Sequence, residues 1–180
     1  MLKVSPLTPS IGAIISKVSL NKDLNIGVIE QIYSALIKHQ VVFFRDQNIS
    51  PETHLKLAEG LGEIDPGHPV YPHVEGHQSI VLLKNDANNR PDTNDWHKDL
   101  TFKENPPFAS ILHGVKVPKV GGDTLWASMS AAYDQLPNGW KDHLEELEAI
   151  HDMGTFRNDF YKEGGIDSVN NALKKVGSAV

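Results

Sequence analysis

Cysteine is absent from the 180 residues, so disulfides, thiolate metal sites and cysteine nucleophiles are excluded. Arginine is scarce. It occurs only as Arg45, Arg90 and Arg157, which leaves little capacity for the bidentate clamping of anions that guanidinium groups perform. No apolar run approaches the ~20 residues that a membrane-spanning helix needs. The segment Met1 to Ser10 has one lysine and two prolines and no apolar stretch, unlike a secretory signal. Excess positive charge is also missing. The formal net charge is −6, and a nucleic-acid backbone is held by clustered Lys and Arg. These absences lead us to expect a cytoplasmic protein that binds neither membranes nor nucleic acid.

Hydrophobic residues make up 39% of the chain and charged residues 22%, an ordinary balance for a globular protein. A chain of this length buries roughly 70% of its unfolded surface, so a single domain over residues 1–180 is expected. Residues 11–16 read as a short strand. Ile26, Ile29, Ile32, Tyr33, Leu36 and Ile37 recur at helical spacing and predict an amphipathic helix over 25–38. Val41 to Phe44 is a β-branched and aromatic run that suits a buried strand. Ser50-Pro51-Glu52 combines a capping hydroxyl, a proline at the first helical position and an acid in the first turn. The helix it opens should end near Gly60 or Gly62.

Prolines, glycines and histidines crowd residues 63–78, which predicts an irregular loop, with a strand at 80–83 and a second loop at 86–94. Ala109, Ile111, His113, Val115 and Val117 alternate along 109–117, the pattern of a half-buried strand. Gly121-Gly122 predicts a turn into a strand at 123–126, followed by a helix capped by Ser128. A further helix is expected over 138–147, a strand at 149–151 and a helix over 168–176. Short strands with helices grouped toward the N-terminus point to an α+β fold around a β-core.

The segment from Asn94 to Phe102 carries the chemistry. On an extended strand, residues i and i+2 project to one face. His97 and Asp99 would then offer an imidazole nitrogen and a carboxylate oxygen side by side, two corners of the 2-His-1-carboxylate arrangement that suits non-haem Fe(II). The same spacing recurs at His73/Glu75 and His143/Glu145. On spacing alone a surface pair is the ordinary explanation for any of the three. His143/Glu145 falls in an expected helix, where i and i+2 do not face one another. His73/Glu75 lies in a loop, where geometry does not decide.

The words around the middle pair do decide. His39-Gln40-Val41-Val42-Phe43, Arg45-Asp46-Gln47, His68-Pro69-Val70-Tyr71-Pro72-His73, Trp96-His97-x-Asp99-x-Thr101-Phe102, Gly121-Gly122-Asp123-Thr124-Leu125-Trp126 and His151-Asp152 follow in order. Together they resemble the taurine dioxygenase family of Fe(II)- and 2-oxoglutarate-dependent oxygenases across residues 5–157. The resemblance implies a double-stranded β-helix, or jelly roll, with helices packed outside it. It implies His97 and Asp99 as iron ligands and Thr124 as a hydrogen-bond partner of 2-oxoglutarate, although a threonine in a strand is otherwise an ordinary β-former. His68, Tyr71, Thr93, Asn94 and Phe156 would line the substrate pocket, and no catalytic group beyond the metal ligands is implied. Trp96 and Trp126 are expected to pack rather than react.

The implied reaction consumes O2 and decarboxylates 2-oxoglutarate to succinate and CO2. It hydroxylates taurine, or a related small sulfonate, beside sulfur, and the product expels sulfite. The family takes its second iron histidine and its 2-oxoglutarate-clamping arginine from a downstream segment. His113, His143 and His151 do not sit in the family's word for that histidine, and Arg157 comes too early for the clamp. Both residues are therefore expected beyond Val180. The chain reads as the N-terminal part of such a domain, incomplete at its C-terminus, and little activity is expected of these 180 residues alone. The family also places an asparagine a few residues before the iron-binding histidine; strict spacing puts Thr93 there and Asn94 one step away. Alternatives are the same family acting on an alkyl sulfate ester or an aryloxy acid, or an inactive truncated remnant. Homo-oligomer formation is left open.

Overall fold

The period of the apolar residues changes along the first third of the chain, and the elements change with it. The computed structural model describes residues 2–22, 24–66, 71–86 and 96–151. The chain divides into two compact units: Met1–Glu63 with Ile111–Glu148, and Ile64–Ser110 with Ala149–Val180. In the first unit, strands β1 (Lys3–Pro6), β2 (Ala13–Ser16) and β3 (Val42–Phe43) form one sheet in that order. β1 pairs antiparallel with β2, and β2 pairs parallel with β3. A parallel pair needs a crossover connection. Helix α1 (Ile26–His39) provides it, and α2 (Pro51–Leu61) follows β3.

The sequence signals for these elements act through identifiable contacts. The Asn25 side chain accepts the Val28 N–H at the start of α1, and Ser50 accepts the Thr53 N–H at the start of α2. α2 ends at Gly62, as the glycine pattern predicts. Gly12 turns the chain into β2 at φ +89°, and its N–H donates to the His39 carbonyl at 2.8 Å. A Cβ at Gly12 would stand 3.6 Å from Leu7 in a left-handed conformation, which glycine adopts without steric cost. Ile15, Leu20, Ile29, Ile32, Ala35 and Leu57 make the core, with Val18, Val42, Phe44, Leu61 and Ile111 packed against it. Gln47 fastens the loops beneath: its Oε1 accepts the Leu20 N–H at 3.0 Å and its Nε2 donates to the Arg45 carbonyl at 3.0 Å.

Helices α3 (Met129–Asp134) and α4 (Asn138–Glu145) complete the first unit. Ser128 caps α3 by accepting the Ala131 N–H. The Tyr133 hydroxyl donates to Glu145 Oε1 at 2.5 Å, and this bond, with nearby acidic charge, raises the phenol above its ordinary range. Lys141 Nζ donates to the Asp134 carbonyl at 2.9 Å.

Three expected strands are not formed. Residues 109–117, 123–126 and 149–151 carry no ladder. Alternation supplies a face, but a strand also needs a partner edge. Among the described residues, the sheets are one of three strands and one of two, and neither includes these segments. Val115 and Val117 are 84% and 74% exposed. Ile111 alone of that face packs on the core. β1 is the converse case, a strand formed by four mostly exposed residues with no hydrophobic signal.

The second unit holds a hairpin of β4 (His73–Val74) and β5 (His77–Val81). It occupies part of the expected 63–78 loop and shifts the expected 80–83 strand toward the N-terminus. Glu75-Gly76 forms the connection, with Gly76 at φ +76°, a left-handed backbone that glycine adopts without steric cost. The expected helix 168–176 and nearly all of the 86–94 loop lie outside the described residues.

Candidate functional site

The extended strand expected at His97 and Asp99 is not formed: residues 96–98 carry no regular structure and Asp99 and Leu100 lie in a turn. Leu100 adopts φ 53°, and the Lys103 N–H donates back to its carbonyl at 3.1 Å. A leucine in the left-handed region costs about 1–2 kcal/mol, a cost tolerated where surrounding structure fixes the backbone. Lys103 Nζ makes an ion pair with Asp65 Oδ2, and the lysine side chain is largely buried. This contact ties the turn to the residues after α2 within the second unit.

His97 Nε2 stands 3.3 Å from Asp99 Oδ1. Two donors on adjacent corners of an octahedral metal, each at 2.0–2.2 Å, are separated by roughly 3 Å. The pair therefore needs little movement to share one ion. The other carboxylate oxygen is also engaged: Ser110 Oγ donates to Asp99 Oδ2 at 3.0 Å. Both side chains are more than half exposed, so the pair is accessible. Among the described residues, no group of three His, Cys, Asp or Glu side chains is placed to hold a metal. His97 and Asp99 thus fit two positions of a metal site.

The other two His-x-carboxylate pairs behave differently. His143 lies on α4 with its ring 6.4 Å from that of Trp140, while Glu145 is bonded to Tyr133. His73 sits on β4, its Nδ1 buried without a hydrogen-bond partner, and Glu75 is exposed in the adjoining turn.

Of the other expected site residues, Tyr71 is half-buried just before β4 in the second unit. Thr124 is exposed in an irregular segment of the first unit, where a strand residue was expected. His68, Thr93, Asn94 and Phe156 lie outside the described residues. Trp126 packs edge-on against Phe43 at 5.1 Å. Trp96 is 70% exposed, contrary to the packing role expected of it.

A second polar cluster has no counterpart in the sequence reading. His54 on α2 hydrogen-bonds through Nε2 to the Ile111 carbonyl at 3.0 Å, and its ring lies edge-on to His113 at 6.4 Å. Burial lowers the His54 pKa below the ordinary value of 6.5; the bond to Ile111 opposes this and His113 adds to it. Residues 54 and 111 are too far apart in sequence for any local pattern to link them. Ser110 escaped for the same reason, standing 11 residues from Asp99 with no periodic relation to it.

Comparison with known proteins extends these observations. The family described as "Taurine catabolism dioxygenase TauD, TfdA family" matches residues 3–175. The alpha-ketoglutarate-dependent sulfate ester dioxygenase of Pseudomonas putida is 40% identical over 151 residues, 83% of this chain and 49% of that protein. An alkylsulfatase of Acinetobacter baylyi is 38% identical over 83% of this chain and 47% of its own length. The crystal structure of a taurine dioxygenase from Burkholderia xenovorans superposes with a TM-score of 0.69 at 37% identity, covering 81% of this chain and 51% of that one. The chain spans about half the length of the curated relatives it matches. It belongs to the taurine catabolism dioxygenase TauD/TfdA family.

Proposed function

We propose that this chain contributes to the active site of an Fe(II)- and 2-oxoglutarate-dependent dioxygenase that uses O2 to hydroxylate a small organosulfur anion. The observation that carries the reading is the 3.3 Å approach of His97 Nε2 to Asp99 Oδ1 within a chain of this family. Iron, when bound, supplies the O2 activation that couples decarboxylation of 2-oxoglutarate to hydroxylation of the substrate. His97 would give its neutral Nε2 lone pair, so metal uptake requires that nitrogen to be deprotonated. Asp99 would give an anionic oxygen. The Thr124 hydroxyl would donate to a carboxylate of 2-oxoglutarate. His68, Tyr71, Thr93, Asn94 and Phe156 would shape the substrate pocket and exclude water from it. In this reading the core is a jelly roll, and the protein works in the cytoplasm without membrane or nucleic-acid partners.

For the substrate, we favour an alkyl sulfate ester over taurine. The relatives 40% and 38% identical are a sulfate ester dioxygenase and an alkylsulfatase, and Thr93 stands where the family's taurine pocket has asparagine. Hydroxylation of the carbon bearing the ester oxygen gives a hemiacetal sulfate, which collapses to an aldehyde and sulfate. Taurine would instead release sulfite. The test supplies the protein carrying this sequence with Fe(II), 2-oxoglutarate and O2, plus either a short alkyl sulfate or taurine. Succinate, sulfate and sulfite are measured. We expect succinate matched by sulfate from the alkyl sulfate, lost in His97→Ala. Sulfite from taurine at a higher rate would overturn the substrate assignment, and turnover unaffected by His97→Ala would overturn the metal assignment.

A further inference from the structure

We infer that Ser110 is a positioning residue for the metal-binding carboxylate, a role that rests on the assignment of His97 and Asp99 as metal ligands. The carboxylate of Asp99 is held from two sides. Its Oδ1 faces His97 Nε2 at 3.3 Å, and its Oδ2 accepts the Ser110 hydroxyl at 3.0 Å. An aspartate has two rotatable side-chain bonds, and both its residues' side chains here are more than half exposed. Packing therefore does little to fix the orientation of the carboxylate. The serine hydroxyl does so instead, because a donor on Oδ2 leaves Oδ1 as the oxygen turned toward the histidine nitrogen.

The division of labour matches what a carboxylate bound through one oxygen requires. The bound oxygen takes the metal, and the other keeps two lone-pair directions that need a donor. Ligating carboxylates are regularly hydrogen-bonded in this way, and such partners set ligand orientation without touching the metal. The backbone favours the same arrangement. The turn at Leu100, closed by the Lys103 N–H and anchored by the Lys103–Asp65 ion pair, fixes where Asp99 leaves the chain. Ser110 then fixes how its carboxylate is rotated.

The measurement is Mn(II) affinity, read from the free-ion signal by electron paramagnetic resonance, on the protein carrying this sequence and its variants. Ser110→Ala removes the donor, Ser110→Thr keeps it, and Asp99→Ala removes the ligand. Ser34→Ala, which deletes a hydroxyl bonded to Glu30 on α1, controls for loss of a serine elsewhere. Removal of a partner of this kind costs 10–100-fold in affinity, and exposure places Ser110→Ala at about tenfold. Ser110→Thr should stay within about threefold of wild type, and Ser34→Ala should match wild type. Thermal melting reports whether each variant is folded. Ser110→Ala binding as tightly as wild type, while Asp99→Ala loses binding, would overturn the role of Ser110 and leave the metal assignment intact. Ser110→Thr falling with Ser110→Ala would also overturn it. If Asp99→Ala binds as wild type does, or wild type takes up no Mn(II), the metal assignment fails and the role of Ser110 falls with it.

Discussion

Replacing Gly60 by alanine sets two effects of known size against each other. Gly60 lies within α2, where alanine is favoured over glycine by about 0.5–1 kcal/mol because it restricts the unfolded chain. A Cβ built there would stand 2.9 Å from Ile29 Cδ1, 3.0 Å from Cγ1 and 3.3 Å from Cγ2. The methyl end of an isoleucine could swing aside, but the two γ-carbons cannot follow. Ile29 is only 7% exposed, sits on α1, and is β-branched, with one strongly preferred rotamer in a helix. Overpacking of this kind costs about 1–3 kcal/mol. The clash therefore wins, and Gly60→Ala should destabilise the protein by about 1 kcal/mol, lowering Tm by about 2–4 °C. Ile29→Ala tests the cause, since it deletes both γ-carbons along with Cδ1. Alone it should cost about 2–5 kcal/mol; in the Gly60→Ala background, where the added methyl then has room, the cost should be smaller by about 1–3 kcal/mol. Urea denaturation of the four proteins in the cycle gives the coupling. Additivity within about 0.5 kcal/mol, or a Gly60→Ala protein as stable as wild type, would refute the argument that the glycine exists to let α1 and α2 approach.

The remaining predictions concern a histidine and a cap. His54 is held neutral by burial, so the unfolded chain protonates first: the stability it contributes is complete above the ordinary pKa of 6.5 and is lost as pH falls through the lowered folded value. Urea midpoints at pH 7.5 and 5.5 should therefore fall further in wild type than in His54→Gln, which keeps a donor for the Ile111 carbonyl; equal falls would show that His54 does not titrate as proposed. Ser50→Ala removes the acceptor of the Thr53 N–H and should cost about 1 kcal/mol, whereas Ser50→Asp should restore most of it; Tm measurements on both check the cap.

The elements that could be read from the sequence are those whose signal lies inside the element. α1 carries its apolar residues at helical spacing and is bounded by Asn25 and by Gln40 at φ 65°. α2 announces itself through Ser50 and Pro51 and stops at Gly62. Strands are different, because their defining hydrogen bonds go to another segment. The alternation of residues 109–117 shows which face would be apolar but not whether a neighbour is there to pair with. β1 forms because Lys3–Pro6 lies alongside Ala13–Ser16 in register, not because its own side chains demand it. The hairpin at 73–81 was hidden for another reason: its signal is the dipeptide Glu75-Gly76, in a stretch whose prolines argued for loop.

The candidate site divides along the same line. His97 and Asp99 are two residues apart, so local backbone geometry alone can bring their donor atoms together, and the sequence could suggest it. Spacing does not distinguish them from His73/Glu75 and His143/Glu145, and the surroundings of the three pairs differ. His143 and Glu145 are drawn to Trp140 and Tyr133 along two helices, while Asp99 is turned toward His97 by a left-handed leucine and a serine 11 residues away. A carboxylate with one oxygen tied to a neutral hydroxyl and the other left facing an imidazole is set up to take a cation between them. The same carboxylate with both oxygens in water would rotate freely. What sets His97/Asp99 apart from the other two pairs is therefore the hydroxyl on the second carboxylate oxygen, and the residue that supplies it lies where no spacing rule would look.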